Sequence, residues 1–219
     1  MAGVAPFITF EGGEGAGKST QVRLLKDALV AAGILCLATR EPGGTPGAEA
    51  IRAILLGHEH DWSPKTEGIL FAAARCDHVE SVILPAIRSG TWILCDRYVD
   101  STRAYQAGLA DNTIMQIHGL TASLIPGLSI LLDIPEDILA DSPANPIAKR
   151  LAARGGTADR MESKDADFHA GVRQRFRDIA ARESGRWIVV DALGTVEEVH
   201  RAICAAVSQR YGITIEPVL

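Results

Sequence analysis

The sequence predicts an α/β domain with a central, mainly parallel sheet covered by helices on both faces. Three observations predict it. Short apolar runs alternate with longer helical patterns along the chain. Those runs are almost continuously apolar, as strands buried on both faces must be. The first run also leads straight into a glycine-rich segment that opens a helix. The chain has 219 residues, which suits a single domain over 1–219 and is long enough to bury a core.

The elements follow in order. Phe7–Phe10 is an apolar run and reads as the first strand, with a helix over Ser19–Ala32. Ile34–Thr39 is the second strand, followed by a helix over Gly47–Leu56. Glu67–Ser89 reads as one long helix, because Ile69, Ala73, Val79, Val82, Ile83 and Ala86 keep a helical period. Most of these are expected in the core. Strands at Trp92–Cys95, Leu128–Leu132 and Trp187–Val190 alternate with helices at Thr113–Leu124, His169–Arg182 and Val196–Tyr211. The one shift in composition, about 141–167, is rich in Ala, Pro, Arg and Gly and reads as an irregular, mobile insertion.

Composition narrows the function. Apolar residues make up 47% and charged residues 22%, ordinary for a soluble globular chain. The net charge of −5 gives no global basic field for nucleic acid, so an anionic ligand must be held by local positive charge. No apolar run reaches the roughly 18 residues that span a bilayer. Met1–Phe10 lacks a basic start and reads as a strand, not a signal peptide. Cys36, Cys76, Cys95 and Cys204 form no CxxC pair and read as core thiols of a cytoplasmic protein. His58-Glu59-His60-Asp61 lacks matching ligands elsewhere and reads as a solvated loop.

Gly12-Gly13-Glu14-Gly15-Ala16-Gly17-Lys18-Ser19 fits G-x-x-x-x-G-K-[ST] at every fixed position, between a strand and a helix that opens at Thr20. The glycines let successive N–H groups converge on one anion, and the helix N-terminus adds positive potential. Lys18 supplies a point charge for the outer phosphates of a nucleoside triphosphate, and Ser19 a hydroxyl for Mg²⁺. The fold class is therefore a three-layer P-loop nucleoside triphosphatase fold. Asp96 ends a buried-strand pattern, and two readings stand: it holds the Mg²⁺ shell, or it caps the next turn.

A phosphate loop does not choose among switch, motor and kinase. The chain has no N-K-x-D guanine reader, but it carries a second polar set suited to a second small anion. Arg40-Glu41-Pro42-Gly43-Gly44-Thr45 is a loop whose backbone can approach a ligand closely. Phe71 and Arg75 are four apart, so a ring and a guanidinium share a helix face. Taken alone, Phe71 reads as core. Asp96-Arg97-Tyr98 leads into Ser101-Thr102-Arg103-Ala104-Tyr105-Gln106, a density of hydroxyls and an amide that suits readout of a base and sugar.

Together, E-G-x-E-G-A-G-K-S-T, T-R-E-P-G-G-T, L-F-A-A-x-R, D-R-Y and S-T-x-A-Y-Q resemble the bacterial thymidylate kinases, from Phe7 to about Val199. The resemblance implies transfer of a phosphoryl group from ATP to dTMP with Mg²⁺, in a homodimer. It implies that Phe71 stacks on thymine, Arg75 donates to a thymine carbonyl, and Thr102 and Gln106 read the remaining polar edge. Tyr105 should crowd a 2′-hydroxyl. Arg97 should bridge the acceptor phosphate and the moving phosphoryl group, with Arg52 at the acceptor phosphate. Glu14 should lie near the sugar or the metal shell, and Ala192, Leu193 and the last helix should border the adenine.

Some members of that family carry an arginine inside the phosphate loop; here the position is Gly15. The alternative arrangement puts the cation in a lid. Lys149, Arg150, Arg154 and Arg160 lie in the insertion, and Arg154-Gly155-Gly156 and Asp159-Arg160-Met161-Glu162 resemble the lid signature. Arg154 or Arg160 is expected at the transferred phosphate; a solvated basic face is the other reading. Ile138–Pro146 departs from the family's basic, helical entry, and Pro143 and Pro146 block a regular helix. Two further functions compete: another nucleoside monophosphate or deoxynucleoside kinase, and a P-loop ATPase switch that leaves Arg75 and Arg97 without a ligand.

Overall fold

The computed structural model describes residues 4–134 and 159–218. The strands are β1 (Phe7–Glu11), β2 (Cys36–Arg40), β3 (Trp92–Asp96), β4 (Leu128–Asp133) and β5 (Trp187–Asp191). They form one all-parallel sheet in the order β2-β3-β1-β4-β5. The helices are α1 (Lys18–Ala31), α2 (Pro46–Leu56), α3 (Pro64–His78), α4 (Leu84–Arg88), α5 (Val99–Tyr105), α6 (Asp111–Thr121), α7 (Ala166–Arg182) and α8 (Val196–Tyr211). The expected alternation and doubly covered sheet are what the chain forms.

Side chains alternate across each strand and feed two layers. Ile8 and Phe10 of β1, Leu94 of β3 and Leu128, Ile130 and Leu132 of β4 pack with α1 and α8 through Leu25, Leu29, Ile203 and Val207. Phe7, Ile93 and Cys95 face the other way, against Val79, Ile83, Tyr98 and Ile114. A third cluster joins Tyr105 of α5 to Leu131 and to Val172, Phe176 and Ile179 of α7. Cys95 and Cys204 are buried, Cys36 and Cys76 half-buried, and all four are free thiols.

Three local differences from the sequence reading have physical causes. The stretch read as one helix over Glu67–Ser89 is α3 and α4 joined by a π-helical turn at Val79–Ile83. Pro85 has no N–H, and its ring opposes the carbonyl four residues back, so the wider turn accommodates it. Of the periodic apolar residues only Val79 and Ile83 are fully buried, while Ile69 remains 48% exposed. The helix α5 was hidden in the hydroxyl-rich run, where Ser and Thr argue for turns. Helix α7 begins at Ala166, three residues before the expected start, because the Asp165 side chain caps it by accepting from Phe168 N–H at 2.8 Å.

A buried ion network ties α5 to the sheet. Asp100 is wholly buried and accepts from Arg103 Nη1 at 2.8 Å and Arg186 Nη1 at 2.7 Å. Arg103 also binds Asp111 Oδ1 at 2.6 Å and Glu183 Oε1 at 2.6 Å. The network fixes the helix that carries Ser101, Thr102 and Tyr105.

Candidate active site

The strands β1 and β3 are neighbours, with Phe10 paired to Asp96, so their carboxyl ends open at one place. After β1 the chain departs toward one edge of the sheet, and after β4 toward the other. Ligands of open α/β sheets sit where connections diverge in this way. A cleft of about 600 Å³ lies there.

The phosphate loop forms its floor. Gly12 has φ +136°, and a Cβ on it would lie 2.5 Å from the Leu132 carbonyl oxygen, so only glycine lets the loop pass over β4. Lys18 opens α1 and is 6% exposed, its Nζ donating to the carbonyls of Gly12 at 3.2 Å and Gly13 at 2.7 Å. Burial, then the repulsion of Arg97, pushes its pKa down to about 8. Ser19 Oγ donates to Asp96 Oδ2 at 2.5 Å, bringing two of the expected metal ligands together across β1 and β3. Both oxygens are hard donors. Mg²⁺ usually takes one or two protein oxygens and completes its shell with phosphates and water, so this pair fits it.

Arg97 stands between the loop and the far half of the cleft. It is held at φ +68°, a conformation that strains a residue with a Cβ. Its Nη1 donates to Gly12 O at 3.1 Å and Ser101 Oγ at 3.2 Å, its Nη2 pairs with Glu14, and its guanidinium lies 5.0 Å from the Tyr105 ring. Burial pulls its pKa down, but Glu14, Tyr105 and Asp96 outweigh burial and hold it above the ordinary arginine value. Glu14 also accepts from Tyr105 Oη at 3.2 Å, which puts it beside Arg97 and Tyr105.

Glu11 escaped the sequence reading. It is wholly buried, accepting from Tyr98 N–H at 3.0 Å and Ser101 Oγ at 2.6 Å. It thereby caps α5 and steadies the Ser101 hydroxyl that receives Arg97. Burial, then Asp100, pushes its pKa up to about 8. A carboxylate next to Gly12 at a strand end was the available signal, but its target lies 87 residues away at Tyr98.

The far half is built on α3, α5 and the Glu41–Pro42 loop, whose joining peptide is cis. Glu41 accepts from Arg75 Nε at 2.8 Å and faces His78 Nδ1 at 3.3 Å. Gly44 approaches His78 so closely that a Cβ would lie 2.5 Å from Nε2. Arg75 Nη2 donates to Thr102 Oγ1 at 2.9 Å, and its guanidinium lies 5.2 Å from the Tyr98 ring. Phe71 is half-buried on the same wall, and Arg52 Nη1 donates to Pro42 O at 2.9 Å. Burial, then Arg40, lowers the Arg52 pKa.

One cleft therefore gathers residues from Glu14 to Thr20 with Glu41, Pro42, Arg52, Phe71, Arg75, Asp96, Arg97, Ser101, Thr102, Tyr105 and Gln106. Gly12 and Gly13, also expected at the phosphates, do not line it. Val196 and Val199 line it, whereas Ala192 and Leu193 pack in the core cluster. Arg160 does not line it. Its Nε and Nη2 donate to Leu55 O at 3.1 and 3.0 Å, and its Nη1 pairs with Glu67. Arg154, with Lys149 and Arg150, lies outside the described residues. Asp159, Met161 and Glu162 line the cleft without having been expected. Among the described residues, no helix is long and apolar enough to cross a membrane.

A family model described as thymidylate kinase matches residues 10–203. The chain is 47% identical over 212 residues to the thymidylate kinase of Caulobacter vibrioides, covering 94% of this chain and 98% of that one. It is 48% identical to that of Rhodopseudomonas palustris strain CGA009, covering 93% of this chain and 89% of the relative. A crystal structure of thymidylate kinase from Ehrlichia chaffeensis superposes with a TM-score of 0.74 at 27% identity, covering 94% of this chain and 99% of that one.

Proposed function

The chain belongs to the thymidylate kinase family, and from that premise we propose how its cleft divides the transfer of a phosphoryl group from ATP to dTMP, giving ADP and dTDP. The observation that carries the division is Arg97, whose guanidinium reaches the phosphate loop at Gly12 and Glu14 and the acceptor half at Ser101.

ATP phosphates are received by the N–H groups from Gly13 to Thr20 and by Lys18, whose charge is now spent on two carbonyls. Ser19 and Asp96 would hold Mg²⁺, which would supply positive charge beside the ATP phosphates. Val196 and Val199 border the adenine. On the acceptor side Phe71 stacks on the base, Arg75 donates to a base carbonyl, and Thr102 and Gln106 read the rest of the edge. Thr102 Oγ1 accepts from Arg75, so its own proton is left to donate. Tyr105 packs beneath the sugar with Glu14 beside it, and Arg52, near Pro42, meets the acceptor phosphate. That phosphate is already ionised, so the step needs alignment and charge neutralisation more than a general base. Arg97 supplies charge between the two anions. The bonds Arg160 makes to Leu55 and Glu67 favour Arg154 as the lid cation.

Helix α3 leaves Ile69 48% exposed, which supports a homodimer contact there. A cytoplasmic location completes the reading.

The test assays phosphoryl transfer from ATP to dTMP, dUMP, dCMP and thymidine, with Arg97→Ala and Asp96→Asn alongside. A preference for dTMP is expected. Arg97→Ala should lower kcat by about a hundredfold or more, the scale of removing a charge donor from a transferring phosphoryl group. Asp96→Asn should shift the Mg²⁺ dependence and spare dTMP binding. Full turnover in either variant would sink its assignment.

A further inference from the structure

Behind the base-reading end of the cleft runs a buried chain of three side chains that phosphoryl transfer does not use. Arg160 is 8% exposed, anchored on the Leu55 carbonyl and ion-paired through Nη1 with Glu67. The other Glu67 oxygen accepts from Gln106 Nε2 at 3.3 Å. Gln106 is 3% exposed and lines the cleft, and its Oε1 is buried with no partner among the described residues.

The direction of each bond follows from chemistry. A guanidinium only donates, and an ion-paired carboxylate only accepts. Glu67 can therefore be met only by the NH₂ end of Gln106. The amide is turned so that its carbonyl is the end left over. One helical turn back from Gln106, the Thr102 hydroxyl and the Arg75 bonded to it present donors. A base edge thus meets donors and, next to them, an acceptor. Thymine and uracil offer a carbonyl beside an N3–H, which matches this order. Cytosine offers an amino group beside a bare N3, which opposes it at both atoms.

We propose that Glu67, held by Arg160, is a specificity-determining positioning residue: it fixes the amide of Gln106 acceptor-first and so excludes cytosine-type bases. The inference rests on the reading of Gln106 as a base contact. It assigns to Arg160 an orienting role away from the reacting phosphates.

The experiment measures kcat/KM for dTMP and dCMP in the wild type, Gln106→Ala, Glu67→Gln and the double variant Glu67→Gln with Gln106→Glu, with a melting curve for each. In Glu67→Gln, Arg160 keeps the carbonyl of the new amide, so its NH₂ end faces Gln106 and turns that amide donor-first toward the base. The dTMP:dCMP ratio should fall by about tenfold or more, through a raised KM for dTMP with kcat kept within about threefold. The double variant restores the order, since Gln at 67 donates to Glu at 106, whose second oxygen accepts from the base. Its ratio should return to within about threefold of wild type. A folded Glu67→Gln enzyme with the wild-type ratio overturns the proposal. If that variant does not fold, the double variant decides: a retained ratio is expected, and a collapsed one overturns it. If the wild type does not favour dTMP over dCMP, or Gln106→Ala leaves the ratio unchanged, the base contact itself fails and the proposal falls with it.

Discussion

Gly12→Ala is the sharpest perturbation the fold offers. The new Cβ would sit 2.5 Å from the Leu132 carbonyl oxygen, 3.4 Å from its carbon and 3.6 Å from its nitrogen. These are backbone atoms of β4, paired to β1 and β5, and cannot swing aside as a side chain would. An ordinary carbon–oxygen contact is about 3.3–3.6 Å, so loop and strand must part by about 1 Å. The φ of +136° adds strain of about 1–3 kcal/mol, and overpacking adds a similar amount. The sum, about 2–6 kcal/mol, is a large share of the stability of an ordinary domain. The loop should yield before the sheet does. A displacement of about 1 Å at a site that works by alignment costs about a hundredfold in rate. Steady-state kinetics with ATP and dTMP should show kcat/KM reduced by that factor, and scanning calorimetry a lower Tm. Gly13→Ala is the stability control: nothing lies within 4 Å of its Cβ position, and its φ is ordinary. Equal Tm for the two variants, with kcat/KM of Gly12→Ala within about threefold of wild type, would refute the reasoning.

Two further outcomes are expected. Arg186→Met strips a partner from the wholly buried Asp100 and should cost about 3–5 kcal/mol, lowering Tm by about 6–20 °C; a change below about 3 °C would mean that Arg103 suffices. The pKa of Lys18 is lowered from 10.5 to about 8, so between those pH values the unfolded chain holds more protons and its penalty on folding fades as pH rises. Phosphates need the charged form, so ATP affinity should fall above pH 8 by up to about tenfold per unit in calorimetric titrations. An affinity constant from pH 7 to 9.5 would contradict it.

Much of this protein was legible in sequence because it is local. The strand–loop–helix around Gly12–Ser19 is a contiguous pattern whose glycines, lysine and serine each have one physical use. Phe71 and Arg75 share a helix face by spacing alone, and Asp96 closes an apolar strand. The misses are as physical. Pro85 sits in an otherwise helical period, and only the packing of the two flanking helices made a π turn the resolution. Val99–Tyr105 is poor helix by composition, and Glu11 at its first turn, supplied from β1, is what caps it.

The sequence by itself determined the alternation of elements, the phosphate loop and the residue types of a second polar subsite, because each depends on neighbours within about one helical turn. The tertiary structure alone decided how they are used. Parallel pairing of β1 with β3 set Asp96 beside Ser19, and the crossing of α3, α5 and the segment after residue 158 set Arg160 behind Glu67 and Gln106. Residues tens of positions apart meet only when burial of the sheet's two faces fixes where each helix lies. That is why neighbouring residues alone could not place Arg160, offered with Arg154 as a lid cation, against the carboxylate of Glu67.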